Sequence, residues 1–261
     1  MTPRDDYAFV GDPPMFRPPA SEVHVSCTFT WDIPEAFRLG NAWGQYYPVF
    51  IGGCAARSPA GEFIPGMYVR EGVTVTSRGC NNQCPWCLVP EREGKLREIV
   101  IHAGSNIIDN NLLQCSHGHI DTVFEMLRCQ HGIILSGGLD ARLISDSIAD
   151  NLRSLRIKRM FLACDRKEDI RVLERAKSKL DGFTREHLRC FVLLAYDGET
   201  MSEAKERLDA VWELGFMPFA QLYQPPDKYI HYSKEWRKLT RTWSRPAAMK
   251  AQHREQEDHG Q

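Results

Sequence analysis

From about residue 117 to residue 223 the chain alternates between two hydrophobic periods. Ile120, Val123, Phe124 and Leu127 recur at i, i+3, i+4 and i+7, which places them on one face of a helix. An apolar run at Gly132–Leu135 then reads as a strand ending in Ser136-Gly137-Gly138. The pattern repeats: a helical face of Ile144, Ile148, Leu152 and Leu155, a strand at Lys158–Ala163, and a helix carrying Ile170, Leu173, Ala176 and Leu180 that Asp165 could cap. A strand at Arg189–Ala195 follows. Thr200 and Glu203 form a capping box ahead of Ala204, Leu208, Val211 and Trp212, Gly215 ends that helix, and Phe216–Tyr223 is the last strand. Alternating apolar strands and one-faced helices predict a parallel α/β sheet with right-handed crossovers. With an earlier strand at 72–76 there are five such strands, too few to close an eight-fold barrel. The expectation is therefore a partial (β/α) barrel, an open, curved sheet.

The preceding stretch has a different grain. Residues 1–20 are proline-rich and predicted irregular. Val23–Phe29 reads as a strand. Asp32 and Glu35 have capping-box spacing, and Ala36, Leu39, Trp43 and Tyr46 give the following helix an apolar face. Pro48–Gly53 is a second strand, so residues 21–71 form a short β-α-β lead-in. Between the strand at 72–76 and the helix near 120 lies a long excursion with a strand around Glu98–Ile101, a length that suits a loop wrapping a cofactor. Residues 72–245 make up the main domain. Near its end Trp236, Leu239 and Trp243 line one helix face, with Lys234, Arg237, Lys238, Arg241 and Arg245 around the rest. A docked helix with a solvated basic face is the expected role; a nucleic-acid contact is the alternative. Residues 246–261 read as a frayed polar tail.

Composition narrows the setting. The 261 residues are 43% hydrophobic and 26% charged, enough for an ordinary core, and the formal net charge of −1 provides no global field for nucleic acid or anionic membrane. No apolar run reaches membrane-spanning length, and no apolar signal core follows Met1. Nine cysteines in such a chain point to a reducing, cytoplasmic location. Six of them, Cys27, Cys54, Cys115, Cys129, Cys164 and Cys190, read as small buried hydrophobes.

The other three carry the candidate chemistry. Cys80, Cys84 and Cys87 sit at C-x3-C-x2-C spacing in one loop fed by a strand. Thiolates are soft ligands for iron–sulfur clusters, and three of them leave one iron of a four-iron cube open. Structural zinc sites close with four ligands, often from two separated pairs, and here the next candidates are His102 and Cys115. A disulfide would leave an odd thiol, and a Cys84–Cys87 redox pair would not account for Cys80.

The loop Thr76-Ser77-Arg78-Gly79-Cys80-Asn81-Asn82-Gln83-Cys84-Pro85-Trp86-Cys87 resembles the signature of radical S-adenosylmethionine (SAM) enzymes, with Trp86 at the aromatic position before the last cysteine. From Val23 to Tyr223 the chain is similar to compact radical SAM proteins of bacteria and phages, through Ser26–Asp32, Arg92-Glu93-Gly94, Asp109–Leu113 and Gly137–Ala141 as well. The resemblance implies a partial (β/α) barrel of radical SAM type in which Cys80, Cys84 and Cys87 hold a [4Fe–4S] cluster. Ser136, Gly137, Gly138 and Asp140 correspond to the segment that binds the SAM amino group, and Trp86 would shield the cluster. The activity it implies is reductive cleavage of SAM to a 5′-deoxyadenosyl radical that abstracts hydrogen from a substrate, fed by a low-potential flavodoxin- or ferredoxin-like donor. Asp165, Tyr196 and Tyr223, near later strand ends, could contact SAM or substrate. The lead-in resembles the end of the module preceding the radical domain in cobalamin-binding and methylthiotransferase relatives, but is too short for the first and lacks the cysteines of the second. A non-catalytic iron–sulfur electron-transfer module is the alternative reading.

Overall fold

A computed structural model describes residues 2–56 and 59–259. Met1, Arg57, Ser58 and residues 260–261, which fall in the expected tails and in the connection after the lead-in, lie outside the described residues. The lead-in comprises β1 (Val23–Ser26), α1 (Ile33–Trp43) and β2 (Val49–Gly52), with β1 and β2 paired in parallel. Ala36, Gly40 and Trp43 are the buried face of α1. Two expectations fail here. Asp32 makes no side-chain cap, because it ends a 3-10 turn (Thr30–Asp32) with φ −90° and ψ 0° in place of the extended backbone of a capping residue, and Glu35 pairs with Arg38; Tyr46 lies beyond the helix end, half-exposed under the Arg17 guanidinium. Among the described residues the segment before β1 contains no helix or strand but is tied down: the Trp43 indole donates to Gly11 O at 3.1 Å and the Tyr47 hydroxyl to Pro18 O at 3.0 Å.

The main sheet has six parallel strands in the order β3 (Val73–Thr74), β6 (Asn106–Ile107), β7 (Ile133–Leu135), β8 (Ile157–Ala163), β9 (Leu188–Leu194) and β10 (Met217–Leu222). Strand β6 was not anticipated. It has two residues, no apolar alternation and a buried asparagine, so only its place between β3 and β7 makes it a strand. The expected strand at 72–76 is shorter: after β3 the chain turns into β4 (Ser77–Arg78), which pairs antiparallel with β5 (Arg97–Glu98) and lifts the cysteine loop off the sheet. A short helix, α2 (Val89–Glu93), leaves that loop.

Four helices join the remaining strands: α3 (His117–Arg128), α4 (Asp146–Arg153), α5 (Asp169–Lys179) and α6 (Met201–Glu213). Their apolar faces share one core with Met160 and Leu162 of β8, Cys190, Val192 and Leu194 of β9 and Ala220 of β10. Burying each large aliphatic side chain there contributes roughly 1.5–3 kcal/mol. On the opposite face Phe161, Phe191 and Phe219 stand side by side, with centroid separations of 4.7 and 5.9 Å, and remain partly exposed. Among the described residues β3 and β10 do not pair with each other, so the sheet stays open. Ser116, Ser145 and Thr200 cap α3, α4 and α6, the last with its complete capping box. Asp165 does not cap α5. Asp169 accepts from the Asp165 and Arg166 backbone N–H groups, which frees the Asp165 carboxylate to accept from Leu193 N at 3.2 Å. Cys27, Cys115, Cys164 and Cys190 are buried as expected, but Cys54 and Cys129 are exposed.

The chain ends in α7 (Lys234–Trp243) and α8 (Pro246–His259), the latter in place of the frayed tail expected from composition. Trp243 and Met249 are buried, while Trp236 and Leu239 are half-buried against the core, so the apolar face of α7 is used for docking. The His253 ring lies flat on Trp212 at 4.1 Å, and the Arg185 guanidinium lies 3.9 Å from the same ring. A single histidine over a polar sequence gave no periodicity to detect. No helix among the described residues is long and apolar enough to cross a membrane.

Burial lowers the His253 pKa; Asp209 and Glu213 pull it up, Arg185 and Lys205 pull it down, and the depression wins. A docked imidazole with a lowered pKa contributes stability above its free value of about 6.5 and loses it as pH falls through the docked value. The melting temperature should therefore drop further between pH 7.5 and pH 5 in the wild type than in His253→Phe. Equal drops would remove His253 from the docking of α8.

Candidate functional site

The cysteine loop is held by the residues that follow β6. Asp109 is buried, and its carboxylate accepts from Thr76 N at 2.6 Å, Thr76 Oγ1 at 2.5 Å and Ser77 Oγ at 2.7 Å. Burial raises its pKa, and these three donors offset that only in part. Asn110 Oδ1 accepts from Gly79 N at 3.0 Å, Gln114 Oε1 from Asn81 N at 2.8 Å, and Gln114 Nε2 donates to Asn82 Oδ1 at 2.9 Å. The segment Asp109-Asn110-Asn111-Leu112-Leu113-Gln114 is thus a clamp of short polar side chains on an otherwise irregular loop. The sequence showed the segment without this role, because its partners are about 30 residues away.

The thiols lie within electrostatic reach of one another. Burial raises the pKa of Cys84, and the neighbouring Cys87 and Cys80 raise it further; Cys87 is raised by burial and lowered by a backbone N–H from Val89. Cys80 Sγ accepts from Asn82 N at 3.4 Å and from Asn111 Nδ2 at 3.7 Å. Gathered thiolates repel until a cation sits among them, and N–H groups aimed at sulfur suit cluster ligands. Among the described residues no three Cys, His, Asp or Glu side chains are gathered to hold one metal ion. A four-iron cube takes each thiolate on a different iron and needs three thiols around a shared space. Three thiols on one loop, with N–H groups aimed at the Cys80 sulfur, are a donor set of the chemistry such a cluster uses.

The other sequence-predicted residues meet this loop to different degrees. Asp140, beyond β7, accepts from Asn82 Nδ2 at 3.0 Å and Asn111 Nδ2 at 3.4 Å, and is gripped by Arg142 at 2.9 and 2.6 Å. Burial pushes its pKa up, but the Arg142 and Asn82 hydrogen bonds prevail and bring it to about 2. Gly137 is demanded by packing: a Cβ there would lie 2.0 Å from Asp109 O. Gly138, at φ 98°, borders open space. The Ser136 hydroxyl donates to Asn106 Oδ1 at 2.6 Å, and the Ser136 and Gly137 N–H groups donate to Ile107 O.

Trp86 reaches across to the ends of β8 and β9. Its indole is near enough to Asp165 to lower a carboxyl pKa that burial raises overall, stands 4.7 Å below the Arg166 guanidinium, and meets Tyr196 edge-on at 5.2 Å. Tyr196 in turn meets Tyr223, after β10, at 4.9 Å. Tyr196 is flanked by Ala195 and Asp197, both left-handed at φ 58° and 55°, conformations that cost of order 1 kcal/mol each outside glycine. Glu199 accepts from Ala195 N, and Arg207, itself buried, pairs with Glu199 and donates to Cys164 O and Leu193 O at 2.6 Å. That network was missed because a lone Arg in an amphipathic helix reads as surface. Cys115 is buried behind the loop with its pKa raised to about 11 by burial, so it is no ready thiolate at neutral pH.

Asp109→Ala strands three donors, of which Thr76 N is a backbone group, and should cost about 3 kcal/mol in urea unfolding. Gly137→Ala should cost about 2–3 kcal/mol by forcing Asp109 away, whereas Gly138→Ala, strained only in φ, should cost about 1 kcal/mol. Equal costs at the two glycines would contradict the close approach at Gly137.

Compared with known proteins, the chain matches no family model and no curated protein.

Proposed function

We propose that the protein is a radical SAM enzyme whose main sheet is a partial (β/α) barrel of that type. One observation carries the reading. Three thiols stand on a loop at the C-terminal end of the first sheet strand, and Asp140 from the exit of β7 is hydrogen-bonded to Asn82 of that same loop. In open parallel α/β sheets ligands collect at this end. The sequential strand order, with edges left unpaired, and the convergence of β8, β9 and β10 exits on Trp86 through Asp165, Arg166, Tyr196 and Tyr223 support it further.

In this reading Cys80, Cys84 and Cys87 hold a [4Fe–4S] cluster. When bound, cluster and SAM together supply reductive cleavage of SAM to methionine and a 5′-deoxyadenosyl radical able to take hydrogen from an unactivated carbon. The chain's own residues bind and orient. Asp140 stays ionised at neutral pH and offers a carboxylate to an ammonium group; Arg142, exposed, can give way. Gly138 leaves room for a ligand to approach the backbone. Trp86, packed between Arg166 and Tyr196, keeps water from one side of the loop. The electron comes from a low-potential flavodoxin- or ferredoxin-like donor.

Anaerobic reconstitution with iron and sulfide, followed by dithionite and SAM, should yield 5′-deoxyadenosine from the wild type and none from Cys84→Ala. A four-iron cluster that forms yet binds no SAM and yields no 5′-deoxyadenosine would replace this reading with an electron-transfer module.

A further inference from the structure

Helix α7 carries Lys234, Arg237, Lys238 and Arg241, with Arg245 just past its end and Glu235 as its only acid. At 3.6 residues per turn the five cations fall within an arc of about 100°, opposite Trp236, Leu239 and Trp243, which dock on the core. All five are exposed. Among the described residues none of them forms a salt bridge, and their only side-chain hydrogen bond runs from Arg237 Nε to Ser233 O at 3.4 Å. Lys234 and Lys238, and Arg237 and Arg241, are like-charge pairs at i, i+4, which destabilise a helix until an anion lies across them. The chain as a whole has a formal net charge of −1, so this concentration of cations is local.

The segment entering α7 brings aromatic rings to the same place. Tyr232 meets Trp236 edge-on at 6.3 Å, and the exposed His231 meets Tyr229 at 4.8 Å. Tyr229 meets Trp31 of the lead-in at 6.0 Å, and Trp31 stacks on Phe29 at 4.6 Å with planes 8° apart. Phe29, Trp31 and Tyr229 are 50%, 43% and 51% exposed, so the row keeps surface open to a further stacked ring. Trp31 and Tyr229 also line a small cleft of about 110 Å³ that has Asp227 and Lys228 in its wall.

Unpaired cations beside open aromatic rings are what a single strand of nucleic acid requires, the first for phosphates and the second for bases. A membrane surface fits poorly, because the apolar side of α7 is already spent on the core. An acidic protein would engage the cations and leave the rings idle. We propose that α7 and the row Phe29, Trp31 and Tyr229 form a docking surface for single-stranded nucleic acid. The surface draws on none of the three thiols, so it stands whether or not the cysteine loop carries a cluster.

Fluorescence anisotropy of the full chain with labelled uridine and thymidine dodecamers tests this, with a DNA duplex of the same length, inorganic polyphosphate of equal charge and anionic lipid vesicles as competitors. A single strand should bind at least about tenfold tighter than duplex or polyphosphate, the margin supplied by stacking two bases on protein rings, and vesicles should not compete. Affinity should fall with salt by about 0.7 log units per log unit for each phosphate contacted, so Lys238→Gln with Arg241→Gln, both at exposed positions, should shrink that slope by about 1.4 without moving the melting temperature. Trp31→Ala should weaken the single strand at least about fivefold and leave polyphosphate within about twofold. Absence of saturable single-strand binding, a preference over duplex or polyphosphate below that margin, competition by vesicles, a slope unmoved in the Lys238 and Arg241 variant, or single-strand affinity unmoved by Trp31→Ala would each overturn the proposal. The readout needs neither iron nor SAM, so its failure is separable from failure of 5′-deoxyadenosine formation.

Discussion

The buried carboxylate of Asp109 is the constraint on which the site depends. A cysteine loop of this length has no secondary structure of its own, and its backbone N–H groups need partners once water is removed. Asp109 supplies them at the root of the loop, by accepting from Thr76 and Ser77 at the point where the chain leaves β3. Asn110 and Gln114 accept likewise from the Gly79 and Asn81 N–H groups, while Asn111 donates to the Cys80 sulfur and Gln114 to the Asn82 side chain. The position of that clamp is set in turn by β6, whose pairing to β3 and β7 delivers Asp109 to the sheet's C-terminal end. Gly137 completes the joint, since no side chain fits between it and the Asp109 carbonyl.

Around this joint the remaining strand ends are arranged by charge and by aromatic contact. Arg207 reaches from α6 to the Cys164 carbonyl just past β8 and the Leu193 carbonyl near the end of β9 and, through Glu199, steadies the left-handed turn that presents Tyr196 to Trp86. Backbone strain at a turn persists only where the surroundings over-determine it. Here a buried ion pair and two carbonyl acceptors do so, which links the helix layer to the loop surface. The lead-in meets the same region through α2: Arg92 donates to Cys54 O, and Glu93 gathers Arg78, Arg92 and Arg97 beneath the loop.

Much of the architecture was legible in the chain. The strands β7 to β10 and the helices between them announced themselves because burial on one or both faces forces a hydrophobic period. The Thr200–Glu203 capping box and the stop at Gly215 were local devices and were formed as read. What failed was what depended on distant partners. Asp32 and Asp165 carried capping chemistry by type, yet Arg38 engaged Glu35, and the Leu193 backbone, 28 residues away, engaged Asp165. Strand β6 and helix α8 lacked any periodic signal, one because two residues cannot show a period, the other because it docks through His253 and Met249.

The sequence by itself determined the parallel α/β class of the sheet and the three thiols on one loop, since both follow from spacing along the chain. Tertiary structure alone decided that six strands rather than five make the sheet, and that Asp109 to Gln114 grip the cysteine loop. It also decided that Gly137 is a packing glycine while Gly138 faces open space, and that Trp31 meets Tyr229 ahead of the basic helix. Each of these rests on two segments meeting across at least 28 residues, and the free energy of such a contact comes from burial and hydrogen-bond pairing that no local pattern encodes.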